Sequence, residues 1–202
     1  MNVSSCFQDK LTALYSFVFS DVRAEKEDNE PVAAGCFEFL GDTLGFFYAT
    51  FADHKEFLNG TYDIQWPDEA AIRNGIFRIA VERQNVCAYG VEVGTGRVIY
   101  QDDTNEIAEP IDMKLDDFIL YLVALQCLGF CEPSGKIENA SDLLKSRFDE
   151  KRITEHSIDG TVYAFDEGVL LVAIGKDAYV SAKDDESLAA FEADTSFAVD
   201  WF

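Results

Sequence analysis

Cations, histidines and catalytic motifs are what this chain has least of. Its 202 residues carry 16 Lys and Arg against 38 Asp and Glu, a formal charge of −22. That shortage of positive charge opposes binding to nucleic acid or to an anionic membrane. It favours solubility and fast association with a basic partner, although acidity is also common among bacterial cytoplasmic proteins. The two histidines, His54 and His156, lie far apart in the sequence. No H-x-x-x-H, Cys-x-x-Cys or EF-hand pattern occurs, so no metal site is expected. Cys127 and Cys131 share one side of a helix end, but two ligands hold no zinc, and core packing is the expected role. Asp102-Asp103-Thr104-Asn105-Glu106 lacks the glycine and the distant glutamate of a calcium loop. No G-x-S-x-G elbow is present. Gly94-x-Gly96 joins two strands and precedes no helix, so it is a turn and not a phosphate cradle. No apolar run is long enough to span a bilayer, and MNVSSCFQDK lacks the basic-then-apolar order of a signal peptide. The five cysteines, Cys6, Cys36, Cys87, Cys127 and Cys131, are odd in number and lie mostly in apolar patterns. They read as reduced thiols of a cytoplasmic protein. Neither a cofactor nor a catalytic residue is expected.

What is abundant is apolar sequence, 48% of the chain, enough for a substantial core. Its clearest pattern runs from Gly75 to Leu128: three short antiparallel strands, then one long helix. Ile76–Glu82 alternates, with Phe77, Ile79 and Val81 on one face. Val86–Val93 alternates too, with Cys87, Tyr89, Val91 and Val93 together. A two-residue loop at Gln84-Asn85 would set Val81 opposite Ala88 and split the apolar set between faces. A three-residue loop from Arg83 to Asn85 pairs Phe77 with Val91, Ile79 with Tyr89 and Val81 with Cys87, which keeps it together. The next turn, Gly94 to Arg97, then pairs Val93 with Val98 and Val91 with Tyr100. The other face carries Arg78, Ala80, Glu82, Ala88, Gly90, Glu92 and Gln101. Being small and polar, it is either solvated or close to a ligand or partner. Glu82 and Glu92 share that face, but Glu92 falls opposite Ile76. About six residues at roughly 3.3 Å each then separate the two carboxylates, too far for glycoside hydrolysis. In the helix, Leu115, Phe118, Ile119, Leu122, Val123 and Leu125 form one broad stripe. Asp116 and Asp117 sit in its first turn, where they suit the helix dipole, and Gly129 is the expected stop.

Elsewhere, Ser5 and Gln8 make a capping box for a helix to about Arg23, with Phe7, Leu11, Leu14, Tyr15 and Val18 inward. The charged stretch Ala24–Glu30 reads as a loop. A helix is expected within Asp42–Phe51 despite Gly45, with Gly41 dividing it from a shorter one before. Asn59-Gly60 is a turn, and Trp66–Glu69 leads into a helical turn, Glu69–Ile72. Glu132-Pro133-Ser134-Gly135 marks a boundary. Ser141–Phe148 is a short helix. Strands TVYAF, VLLVAI and AYVSA follow, then a helix over Asp184–Glu192. Strand, strand, strand, helix thus occurs twice, either by internal duplication or because that arrangement is common.

Three pieces of the chain resemble the SMI1/KNR4 family, also called the SUKH superfamily. They are LGFFYATFADHKEFLNG (Leu44–Gly60), WPDEAAI (Trp66–Ile72), and IFRIAVERQNVCAYGVEVGTGRVIYQDD (Ile76–Asp103) with LDDFILYLVALQC (Leu115–Cys127). The resemblance implies an α+β fold, a central antiparallel or mixed sheet wrapped by helices, over 1–131. Residues 132–202 would add a β-meander and helix, as a separate module or packed on the same sheet. It also implies a non-catalytic bacterial immunity protein that neutralises a polymorphic or contact-dependent toxin by direct binding. Many such toxins are basic, which suits the acidic composition. Glu92, Asp102, Asp103, Glu106, Asp112, Asp116 and Asp117 form the expected partner patch, although each also suits an ordinary solvated loop or cap. Some relatives are instead intracellular regulators or scaffolds of cell-wall synthesis. A small-molecule enzyme would need a ligand pocket on the polar sheet face, and negative charge can also mimic nucleic acid.

Overall fold

A computed structural model describes residues 5–19, 40–67, 72–83, 87–102, 108–154, 160–165 and 168–201. In chain order the elements are α1 (Ser5–Phe19), α2 (Asp42–Thr50), a 3-10 turn (Lys55–Leu58), β1 (Tyr62–Ile64), β2 (Ile72–Arg73), β3 (Ile76–Glu82), β4 (Cys87–Glu92), β5 (Val98–Asp102) and β6 (Ala108–Pro110). Then come α3 (Leu115–Phe130), β7 (Ser134–Ile137), α4 (Ser141–Arg147), a 3-10 turn (Asp149–Lys151), β8 (Gly160–Phe165), β9 (Val169–Ile174), β10 (Asp177–Ala182), α5 (Asp185–Thr195) and β11 (Asp200–Trp201). The fold is α+β with antiparallel pairing throughout the described strands.

The strands form two sheets and not one. The first runs β1-β3-β4-β5-β6, with β2 also on β3; the second runs β11-β7-β10-β9-β8. The C-terminal meander therefore does not extend the first sheet. It builds a second sheet, and α3 lies between the two. One side of α3 meets α1, α2 and β1; another meets β8, β9 and β10. Every residue from Asp117 to Cys127 is buried. The single stripe expected from the sequence is thus a helix apolar all round, as a helix covered on all sides must be. It also runs through Gly129 to Phe130. Pro133, which cannot continue a helix and restricts the residue before it, explains the stop better than the glycine does.

The second sheet is covered on its far face as well. Val162, Leu170 and Val172 point into the main core with α3, while Tyr163, Phe165 and Leu171 join a second cluster with Leu144 of α4 and Leu188 and Phe191 of α5. This is why VLLVAI is apolar at consecutive positions. Both halves of the sequence do give a meander followed by a helix, but α3 packs between the sheets and α5 on the outer side.

In the first sheet, Phe77 pairs with Val91 as expected, but a β-bulge follows between Arg78 and Ala80. Ala80 then takes Tyr89, and Val81 takes Ala88. The extra residue, Ile79, is fully buried, and its carbonyl accepts the Gln65 N–H at 2.8 Å. A bulge absorbs one residue without sending the whole apolar set to the wrong face, an outcome that loop length alone does not reveal. The next hairpin differs by two residues: Val91 pairs with Val98 and Tyr89 with Tyr100. Its turn is longer because the Glu92 N–H bonds the Arg97 carbonyl at 2.9 Å while Val93 donates to Gly75. A slip of two keeps every side chain on its face.

The helix in α1 buries Phe7, Leu11 and Leu14, with Tyr15 and Val18 half-buried. Its expected extension to Arg23 and the loop Ala24–Glu30 lie outside the described residues, as do the Gln84-Asn85 loop and Asp68–Ala71. Ile72 is in a strand and not in a helical turn. At the start of α2, Gly41 adopts φ +82°, a left-handed conformation that a side chain would strain.

One polar side chain sits at the centre. Gln126 is fully buried. Its Nε2 reaches the carbonyls of Phe57, Leu58 and Tyr62 at 3.3, 3.0 and 2.9 Å, and its Oε1 accepts the Tyr62 N–H at 3.2 Å. Thr61 Oγ1 donates to the Leu125 carbonyl at 3.0 Å. The loop from Phe57 to Tyr62 is thereby tied to α3.

Candidate functional site

Of the acidic residues expected to form one patch, the described ones are spread over both ends of the first sheet. Glu92 ends β4, half-buried, and accepts a 2.5 Å hydrogen bond from Thr95 Oγ1. Asp112 is exposed, just after Ile111, whose N–H bonds the Val98 carbonyl. Asp116 is half-buried and accepts from Thr43 Oγ1 at 3.1 Å. These three cluster at one end of the first sheet. Asp102 lies at the other end of β5, opposite Cys87, about 13 Å of strand from Val98 at roughly 3.3 Å per residue. Asp117 is only 6% exposed, because the first turn of α3 already faces inward, so it offers almost no surface to a partner. Asp103 and Glu106 lie outside the described residues.

Even the end that keeps Glu92, Asp112 and Asp116 is not purely acidic. Beside it opens a cleft of about 510 Å³ lined by Gly41–Thr43, the Gly94–Arg97 turn and Met113–Leu115. Arg97 and Lys114 both border it. Of the expected partner residues, Glu92, Asp112 and Asp116 thus lie near a small region of mixed charge.

The stronger acidic surface lies in the C-terminal layer. From Asp184 to Phe202 the chain contains six acidic residues (Asp184, Asp185, Glu186, Glu192, Asp194, Asp200) and no Lys, Arg or His. Asp184, Asp185, Glu186 and Asp194 are exposed. Local chemistry fixes this arrangement. Asp184 caps α5, its carboxylate accepting the Ser187 N–H at 2.7 Å. That hydrogen bond holds its carboxyl below the ordinary range. Leu188 and Phe191 turn the other side of α5 into the second core, so the acids must face outward. The signal was present in the sequence as acids at both ends of a helix with no basic residue.

Among the described residues, no group of three or more His, Cys, Asp or Glu is placed to hold a metal ion. Burial pushes the Cys127 thiol well up, with Cys131 adding to it, and pushes Cys131 up to about 11. Both stay protonated at neutral pH and are poor nucleophiles. His54 stacks on Phe19 at 3.9 Å with an interplanar angle of 13°, and its Nδ1 lies 3.2 Å from Glu56 Oε1. Glu92 does fall opposite Ile76. Glu82, however, pairs with Tyr62 and, across the bulge, leaves the face that Glu92 occupies. The two carboxylates therefore do not share a face. That face is small but not solvated throughout, since Ala88 and Ile99 are 0% and 6% exposed.

No helix among the described residues is long and apolar enough to cross a membrane. No protein-family model, curated protein or solved structure matches the chain.

Proposed function

We propose that this chain is a non-catalytic protein-binding domain that neutralises a basic bacterial toxin by covering it. The observation that carries the reading is the charge. The total is −22, and among the described residues α5 with its caps and C-terminal flank exposes Asp184, Asp185, Glu186, Asp194 and Asp200, with Lys183 the basic residue beside them. Such a face steers a basic partner into encounter and sets its orientation. The resemblance of Leu44–Leu128 to the SMI1/KNR4 family supports the same reading.

Co-expression with the C-terminal domains of toxins encoded beside its gene tests this. Growth should be restored, and the two proteins should co-elute as a complex. Affinity should fall at least tenfold between about 50 and about 500 mM salt, as screening weakens the attraction. Replacing Asp185, Glu186 and Asp194 together by Lys should abolish rescue while the chain still unfolds cooperatively, the loss of first-turn acids lowering the melting temperature only modestly. Failure to neutralise or bind any of these domains would overturn the proposal. Full rescue by the lysine variant would remove α5 as the contact surface.

A further inference from the structure

The hairpin between β2 and β3 turns on an Asn-Gly pair, and so does the loop that follows the first 3-10 turn. Asn74-Gly75 and Asn59-Gly60 are the two places in the sequence where glycine follows asparagine. Glycine has no Cβ to shield its backbone nitrogen. That nitrogen can reach the amide carbon of the preceding side chain, one origin of the thermal lability of asparagine. The other asparagines precede Val, Glu or Ala, whose side chains crowd the approach.

The fold treats the two pairs differently. Asn59 is held through its backbone. Its N–H donates to the Glu56 carbonyl at 3.1 Å, its carbonyl accepts Arg83 Nη2 at 2.5 Å, and it bridges Asp63. Gly60 is pressed so closely on Gln126 that a Cβ there would collide with it. The peptide between Asn59 and Gly60 therefore has little room to rotate. Asn74 and Gly75 are both exposed, at φ +53° and +78°. Such a pair of left-handed residues makes the two-residue turn that Asn-Gly favours. A Cβ on Gly75 would meet nothing within 4 Å. β2 is only two residues long, pairing Ile72 with Phe77 and Arg73 with Ile76. One bond reaches this turn from the next one, the Val93 N–H to the Gly75 carbonyl at 2.8 Å. So short a strand opens at low cost, and opening lets the Gly75 nitrogen swing towards the Asn74 side chain.

We propose that Asn74 is a site of spontaneous deamidation and that the fold protects Asn59 from the same reaction. The Gly75 nitrogen forms a bond to Asn74 Cγ, the Cγ–Nδ2 bond breaks, and ammonia leaves with the Gly75 proton. Water then opens the cyclic imide. Attack at Cγ gives aspartate; attack at the backbone carbonyl gives isoaspartate, whose main chain runs through Cβ and Cγ. Aspartate tolerates the left-handed turn and adds a negative charge beside Arg73. Isoaspartate lengthens a turn that has room for two residues, so β2 leaves β3 and the Gly75 carbonyl releases Val93. Val93 adjoins the Gly94–Arg97 turn, which lines the cleft of about 510 Å³. The site is separate from the toxin-binding reading and does not depend on it.

The test is incubation of the full chain in heavy-oxygen water at mildly alkaline pH, followed by peptide mapping by mass spectrometry. In the folded chain Asn74 should take up label roughly tenfold faster than Asn59. In urea the two rates should converge, because both then react as the bare dipeptide. Asn74→Gly keeps the left-handed turn and removes the reacting amide. It should abolish the fast labelling while the chain still unfolds cooperatively. Amide exchange at Val93 should quicken in the isoaspartate form. Equal labelling of Asn59 and Asn74 in the folded chain, a difference that persists in urea, fast labelling that survives in N74G, or unchanged exchange at Val93 would each overturn the proposal.

Discussion

Gln126 concentrates the polar chemistry of the core in one side chain. Its two amide hydrogens are shared among three carbonyls, and its oxygen accepts one N–H, all from the loop between Phe57 and Tyr62. Leucine has a similar size but neither donor nor acceptor. Gln126→Leu should therefore cost on the order of 3 kcal/mol, the penalty for leaving buried peptide groups unpaired. Urea denaturation should show it as a lower midpoint with the slope retained. Cys131 gives a pH-dependent prediction. Its thiol ionises at about 11 in the fold but at about 8.5 in an unfolded chain. Between those values the unfolded chain releases a proton that the fold retains, so the unfolded state gains. The contribution of Cys131 is complete below about 8.5 and is lost as pH rises through about 11. The urea midpoint should fall across that window, and fall less steeply in Cys131→Ala.

At the scale of elements, close backbone approaches decide which strands can pair. Gly135 sits in β7 between Val180 of β10 and Trp201 of β11. A Cβ there would lie 2.7 Å from the Asp200 carbonyl oxygen and 2.6 Å from Val199 Cγ1. The carbonyl belongs to the backbone and cannot rotate away. Gly135→Ala should push β11 off the sheet, lower stability by about 1–3 kcal/mol, and speed amide exchange at Lys136. The elements themselves were largely legible. Period-two alternation located β3 and β4, apolar runs between turns located β8, β9 and β10, and apolar spacing located α1 and α3. The short strands β1, β2, β6, β7 and β11 were not legible. Pieces of two to four residues are too brief to show a period, and partners distant in sequence hold them in place. The bulge at Ile79 was hidden for the same kind of reason. Residue types favour a single register throughout, whereas the sheet changes to the other one beyond the extra residue.

At the scale of the whole molecule, two sheets share one helix. Leu170, Val162 and Val172 of the second sheet belong to the same core as Phe118 and Leu122 of α3. A fragment ending at residue 131 would expose that side of α3 to water, a large apolar patch. It should be molten or aggregated, with helical far-ultraviolet dichroism but little near-ultraviolet signal. A fragment with sharp, dispersed amide resonances would show instead that the first sheet suffices. The sequence by itself determined the α+β class, the two meanders and the acidic character, because strand alternation, helical spacing and net charge are local or additive properties. The acidic patch and the buried role of Asp117 were decided only by tertiary structure. A strand carries Asp102 away from Glu92, and a helix covered on every side turns its first-turn carboxylate inward. Which faces meet water depends on what packs against them, and that information is spread over residues far apart in the chain.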